Sequence, residues 1–331
     1  MIKYILTFLL LITVQISFAQ NPNLGASGAQ FLQIPIGARA EAMGGAIIGL
    51  TDDASSVFWN PAGIVKVKNF QAFFSYIDWF TMFDVNAASL VYNAGDAGSF
   101  AASMIVFSTG KMEITTETEP NGTGRFFDAS DLALGVSYAR YLTDRFNVGV
   151  TVKYVNQRIW NETASGFAFD IGTQYQLDFQ NLTIAMSMTN FGSDLKYDGP
   201  DLDLTHRKDN NFPISRLAPG RLITDDYPLP LNFQVGVGFD IFETDFIKIK
   251  GAIDVTHPND NQERAHFGTE FSFFDRLYLR GGYKLNYDDQ TFAFGAGANL
   301  LWSGNAVYFD YAYSIYDILP SVHRIAIRLS F

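Results

Sequence analysis

The sequence predicts an all-β fold: a transmembrane antiparallel barrel of about fourteen strands with an amino-terminal hatch. Three observations predict it. The first is strict alternation, clearest in the final eight residues. There Ile325, Ile327, Leu329 and Phe331 share one face, and Arg324, Ala326, Arg328 and Ser330 share the other. Period two with one apolar and one polar face marks a strand between two environments, here lipid and a wet lumen. The second is the count. Segments of this kind begin near Asn69, Asp84, Ala97, Ser130, Asp144, Thr163, Asn181, Pro230, Asp245, Gln262, Asp275, Thr291, Gly304 and Ser321. Each runs for about ten residues, the length a tilted strand needs to cross the hydrocarbon layer. The third is the asymmetry of the connections. Tight turns such as Thr143-Asp144-Arg145 and Phe274-Asp275-Arg276 alternate with mostly longer stretches, including Ser108 to Ala129 and Phe191 to Pro228. Short turns in the periplasm and long loops outside are the expected arrangement, and an even strand number puts both chain ends in the periplasm.

The bulk numbers agree. Aromatic residues make up 15% of the 331 residues, with 31 Phe and 16 Tyr, while 17% are charged. That load suits the two aromatic girdles of a membrane barrel. A net charge of −11 argues against nucleic acid as a partner. With no cysteine there is no disulfide framework, thiolate metal site or thiol nucleophile. Residues 1–19 read as a secretory signal peptide: Lys3, an apolar core from Tyr4 to Ile16, and a small-residue site ending at Ala19. No other stretch is long and apolar enough for a membrane helix, yet a secreted chain still spans a membrane as a closed barrel.

Residues 20–68 do not read as strand. They form the expected hatch inside a barrel of residues 69–331, because Phe31, Leu32, Ile34, Ile36, Met43, Val57, Phe58 and Trp59 need burial and are too few for a separate core. Ala40 to Gly45 reads as a short helical turn stopped by two glycines. Thr51 to Trp59 reads as a second short helix, capped by Thr51 with acids in its first turn. It is expected to end at Asn60-Pro61-Ala62-Gly63, where Pro stops the helix and Gly permits positive φ.

The stretches Gly37-Ala38-Arg39-Ala40-Glu41-Ala42-Met43-Gly44-Gly45-Ala46 and Asp52-Asp53-Ala54-Ser55-Ser56-Val57-Phe58-Trp59-Asn60-Pro61-Ala62-Gly63 resemble the amino-terminal signature of the PorV/PorQ family of Bacteroidetes-type outer-membrane proteins. That family is similar in architecture to FadL, the long-chain fatty-acid transporter, with its 14-stranded barrel and amino-terminal hatch. The resemblance implies an outer-membrane location and association with type IX protein secretion. It further implies contact with the translocon, or with cargo carrying a carboxyl-terminal signal domain. The chain departs from PorV proper in its shorter length and in the general Asn-Pro-Ala-Gly form that FadL-like proteins share.

Enzyme chemistry has little to stand on. His206, His257, His266 and His323 are scattered, and no nucleophile elbow or nucleotide loop occurs in context. No cofactor or metal is expected. Asp198, Asp201, Asp203 and Asp209 with Asn210 and Asn211 make an oxygen-rich outer loop, but without a Gly-anchored ligand spacing it reads as solvated.

Two groups carry the functional expectation. Lys153, Lys248, Lys250, Arg280, Lys284, Arg324 and Arg328, with Asp240, Asp254 and Asp310, point inward as a polar lumen network that braces the hatch or lines a wet path. Trp79, Phe80, Met82 and Phe83 in the first outer loop, with Ile318 and Leu319 in the last, make an apolar rim, and in a closed barrel these loops are neighbours. The expected function is a non-enzymatic outer-membrane component of type IX secretion. The alternatives are a FadL-like transporter that takes a hydrophobic small molecule past a mobile Asn60-Pro61-Ala62-Gly63 hatch, and a structural scaffold embedded in outer-membrane lipid.

Overall fold

Fourteen strands hydrogen-bond in a ring and leave no free edge. The computed structural model describes residues 24–207, 217–302 and 304–331, so the signal peptide expected at residues 1–19 lies outside the described residues. In chain order the strands are β1 (Phe70–Trp79), β2 (Phe83–Asn93), β3 (Ser99–Glu113), β4 (Phe126–Thr143), β5 (Phe146–Ile159), β6 (Glu162–Gln176), β7 (Thr183–Gly192), β8 (Asp203–Arg207), β9 (Leu217–Arg221), β10 (Asn232–Glu243), β11 (Ile247–Pro258), β12 (Arg264–Phe273), β13 (Leu277–Leu285), β14 (Gln290–Trp302), β15 (Asn305–Tyr316) and β16 (Val322–Ser330). All but β8 and β9 belong to the barrel. Those two pair with each other as a hairpin within the long connection from β7 to β10.

Closure is made by the last strand. β16 pairs antiparallel with β15 on one side and with β1 on the other, from Gln71 opposite Ser330 to Asp78 opposite His323. A ring of this kind satisfies every strand's backbone groups without water, which is what the membrane interior demands. The alternation read from sequence sorts accordingly. Phe167, Phe169 and Ile171 on β6 and Phe233 on β10 are exposed to the surroundings, while Asp170, Gln174 and Gln234 are buried inside. Near the short-turn end, pairs such as Phe70 with Phe331 (centroids 5.8 Å apart) and Phe246 with Phe274 (5.6 Å) form the girdle that lies at a lipid–water boundary.

Residues 24–68 fill the lumen. The segment contains one α-helix, α1 (Ala38–Ala42), and 3-10 turns at Gln30–Gln33, Ala54–Phe58 and Pro61–Lys66. Met43, Ile48 and Ile64 are wholly buried, facing a wall of small inward residues that includes Ala252, Ala293, Ala312 and Ala326. Small side chains on the strands leave the space that the hatch occupies. Backbone contact is closest at Gly282, where an added Cβ would lie 2.0 Å from the Gly44 nitrogen.

Four expectations are corrected. The cap of the second helical turn is Asp53, whose carboxylate accepts from the Ser55 N–H at 2.8 Å. Thr51 instead donates its hydroxyl to the Ile48 carbonyl at 3.1 Å. Asn60-Pro61-Ala62-Gly63 starts a turn rather than ending one, since Asn60 caps Pro61–Lys66 and Pro occupies the first position, where its missing N–H costs nothing. Gly63 has no positive φ. It is required by proximity, because a Cβ there would lie 2.6 Å from Thr51 Oγ1.

The fourth correction concerns the route of the chain. Phe331 sits at the short-turn, periplasmic end, where its N–H donates to the Phe70 carbonyl at 3.0 Å. Residues 24–28 sit at the opposite end. The Gly25 N–H donates to the Asp260 carbonyl (3.1 Å) and the Gly28 N–H to the Pro228 carbonyl (3.0 Å), both in outer connections. Val67, by contrast, is held by Asn93 Nδ2 at 2.6 Å, next to the periplasmic turn after β2. The hatch therefore runs the length of the lumen from outside to inside, and strand parity does not predict it because the hatch is not a strand.

Candidate functional site

The lumen is organised around two hatch charges, Glu41 and Arg39, both carried by α1. Neighbouring helical positions project differently, so the pair reaches two levels of the barrel. Glu41 faces the outer half. It accepts from Lys284 Nζ at 3.0 Å and Ser314 Oγ at 2.7 Å, also accepts from Gln290, and lies 3.7 Å from Arg324 Nη1. It is entirely buried. Its negative charge is offset there by Lys284 and Arg324.

Arg39 faces the periplasmic half. Its guanidinium bridges Asp52 (2.6 Å), Asp53 (3.1 Å) and Glu270 (3.1 Å). Arg280 continues the chain of charges, donating to Glu270 at 2.7 Å and Asp310 at 2.6 Å, and Arg328 pairs with Asp53. Arg39, Asp52, Asp53, Glu270, Arg280 and Arg328 border a polar pocket of about 220 Å³, which Lys248 and Lys250 also line. An ionic network so buried is tolerable only when each charge is paired, and here the pairs tie the hatch to β12, β13, β15 and β16.

The remaining contacts fix the hatch backbone. Asp254 accepts from the Ile47 and Ile48 N–H groups at 2.8 and 3.1 Å and from Gln234 Nε2 at 2.9 Å. Asn60 Nδ2 donates to the Thr173 carbonyl at 3.1 Å, and Asn147 Nδ2 donates to the Ala62 carbonyl at 2.7 Å. Gly149 lets Pro61 approach, since a Cβ there would come within 2.4 Å of the Pro61 carbonyl carbon. The motif Asn60-Pro61-Ala62-Gly63 is thus a bonded seat for the hatch on β5 and β6.

Most lumen residues singled out in sequence come together in these networks. Lys153 forms a separate pair with Asp170 at 2.8 Å. Lys248 lines the polar pocket below Arg39 while pairing at 3.1 Å with Asp275 of the periplasmic turn. Asp240 stands elsewhere, accepting from Asn181 Nδ2 at 2.7 Å at the periplasmic rim. Sequence reasoning missed the role of Arg39, Glu41, Asp53, Glu270 and Gln290. The signal was present, since a charge alternating with alanines in a segment rich in apolar groups requires a buried partner.

The apolar rim divides. Trp79 and Phe80 fold over the lumen mouth, where the Phe80 ring meets Tyr316 edge-on at 5.0 Å and Trp79 lies 5.5 Å beneath the Arg324 guanidinium. Phe83 packs on Phe107 at 5.4 Å. Met82 and Ile318 remain outward, 70% and 87% exposed, with Leu319 beside them. The mouth encloses a cavity of about 920 Å³ bounded by residues 25–31, Trp79, Phe107, Tyr197, Tyr227, Tyr287, Tyr316 and Leu319. In the acidic loop Arg221 pairs with Asp198 and, at 3.4 Å, with Asp203. Asp201 accepts from Asn161 Nδ2 at 2.9 Å, while Asp209, Asn210 and Asn211 lie outside the described residues. Among the described residues no group of three or more His, Asp or Glu is placed to hold a metal ion.

Residues 17–258 match the family described as type IX secretion system protein PorV. The chain belongs to the PorV family. No curated protein matches it closely enough in sequence to add to that. Its fold is similar to the toluene transporter TbuX of Ralstonia pickettii, at TM-score 0.58 and 13% identity over 89% of this chain and 98% of that one. It is similar to a FadL homologue of Pseudomonas aeruginosa, at TM-score 0.56 and 10% identity over 90% and 98%. It is also similar to the toluene transporter TodX of Pseudomonas putida, at TM-score 0.55 and 13% identity over 88% and 96%. The PorV-family chain is thus a FadL-like barrel of the outer membrane.

Proposed function

We propose that this PorV-family barrel serves type IX secretion without catalysing a reaction, by binding cargo or translocon subunits through its outer loops. The observation that carries this reading is the ion-paired hatch. Arg39 and Glu41 anchor it to opposite levels of the lumen, so the interior supports a docking platform better than a conduit for protein. The outward Met82 and Ile318 offer apolar contact, and the acidic outer loop tunes partner choice electrostatically. Deleting the gene is expected to trap cargo bearing the carboxyl-terminal signal domain in the periplasm. Wild type restores display, and Met82→Asp with Ile318→Asp restores it poorly despite normal barrel assembly. Unchanged display in the deletion strain contradicts the reading.

A second reading, transport of a hydrophobic compound, draws on the likeness in fold to toluene transporters and on the aromatic mouth cavity. Under it, Trp79→Ala with Phe83→Ala slows uptake of a lipophilic probe while cargo display stays intact.

A further inference from the structure

We infer that the mouth cavity binds a small organic ammonium ion with an apolar body, its charge held by Asp131 beside the rings of Phe107, Tyr197 and Tyr227. The site depends on neither reading above, since it needs neither cargo nor passage through the lumen.

The first observation is a carboxylate without a cation. Asp131, near the outer end of β4, is half-buried and lines the cavity of about 920 Å³. Gln157 Nε2 donates to it at 3.1 Å, and among the described residues no lysine, arginine or histidine forms an ion pair with it. The cations that border the cavity, Arg264 and Lys284, stand on β12 and β13, about half-way round the ring from β4. They have acids of their own on that side. Lys284 is committed to Glu41, and Asp288 and Asp289, which follow β13, line the same wall. Asp289 keeps one carboxylate oxygen, Oδ2, buried with no hydrogen-bond partner. The cavity thus carries three carboxylates against two cations, one of them already paired. A half-buried carboxylate held away from every cation draws a positive ligand.

The second observation is what surrounds that carboxylate. In the barrel register Asp131 stands directly between Phe107 of β3 and Gln157 of β5. Gln157 holds Asp131 through Nε2 and accepts the Tyr227 hydroxyl on Oε1 at 3.1 Å, so carboxylate and ring share one anchor. The Tyr227 ring lies 5.8 Å from that of Tyr197, centre to centre, and both line the cavity with Phe107. Aromatic faces attract cations and also take apolar groups. Acid and rings together therefore favour an ammonium head over a neutral or anionic one. Its N–H groups donate to Asp131 in charge-assisted bonds, and its hydrocarbon body lies against the rings. A fatty carboxylate would meet Asp131 as a like charge. The volume is at the upper end of the ~300–1,000 Å³ typical of ligand clefts.

The test uses the full-length barrel in nanodiscs of zwitterionic phosphatidylcholine, with the signal of empty nanodiscs subtracted. Equilibrium dialysis measures the affinity of octylammonium, octanol and octanoate, which share one body and differ in the charge of the head. Octylammonium is expected to bind about tenfold more tightly than octanol, in line with a charge-assisted bond, and octanoate more weakly than either. Asp131→Asn brings octylammonium down to the level of octanol and leaves octanol nearly unchanged, which shows the cavity intact. Asp131→Glu keeps a preference for the cation. Heat-modifiable migration in electrophoresis verifies that each variant is a folded barrel, and the wild-type comparison stands whether or not a variant assembles. Equal affinity for the three probes, tightest binding of octanoate, or a preference for octylammonium that survives in Asp131→Asn overturns the proposal.

Discussion

Glu41 is the residue on which the plugged lumen turns. Removing it leaves Lys284 and Arg324 buried without their anion, a loss of about 3–5 kcal/mol for a pair broken on one side. Glu41→Ala is therefore expected to lower the detergent unfolding midpoint sharply, and an unchanged midpoint contradicts the assigned pairing. Gly282 tests packing rather than charge. A Val there meets the Gly44 backbone, and limited proteolysis is expected to find the hatch unseated and cleavable. Neither role was legible in the sequence. It shows that Glu41 needs a partner, whereas Lys284 lies more than two hundred residues away and reaches it only through barrel closure.

At the scale of elements, the strands were the most legible part. Period two is imposed by lipid on one side and lumen on the other, so each segment declares itself without its neighbours. The starts read from sequence fall close to those of the barrel strands. Thr163 stands against Glu162 for β6, and Ser130 against Phe126 for β4, whose outer end does not alternate between buried and exposed. The hatch was less legible, because its turns are fixed by contacts with strands. Thr51 is a good cap by type, yet Gln174 Nε2 claims its hydroxyl oxygen at 2.7 Å, leaving Asp53 to cap. The outer strap is a distinct element with its own latch. Ser27 and Gln30 Nε2 (2.7 Å) both donate to the Asp260 carboxylate, and Gln33 Nε2 approaches it at 3.2 Å. Asp260→Ala is expected to raise protease cleavage within residues 24–33 without lowering the unfolding midpoint of the barrel. Cleavage at the wild-type rate contradicts the latch.

The whole molecule is a closed β wall built around a segment that crosses the membrane inside it. Closure by β1 and β16 and the seating of the hatch depend on each other, because the small inward alanines leave a lumen that only the hatch fills. This arrangement gives an outer face with exposed apolar loops and an aromatic-lined cavity, above a lumen locked by ion pairs. It suits a protein that receives partners at the surface. The most direct test of the threaded hatch is single-cysteine labelling on intact cells with a membrane-impermeant maleimide, which the absence of native cysteine makes clean. Leu24→Cys and Met82→Cys are predicted to label from outside, and Lys68→Cys only after the outer membrane is opened. Labelling of Leu24→Cys only after opening, or of Lys68→Cys in intact cells, contradicts the account.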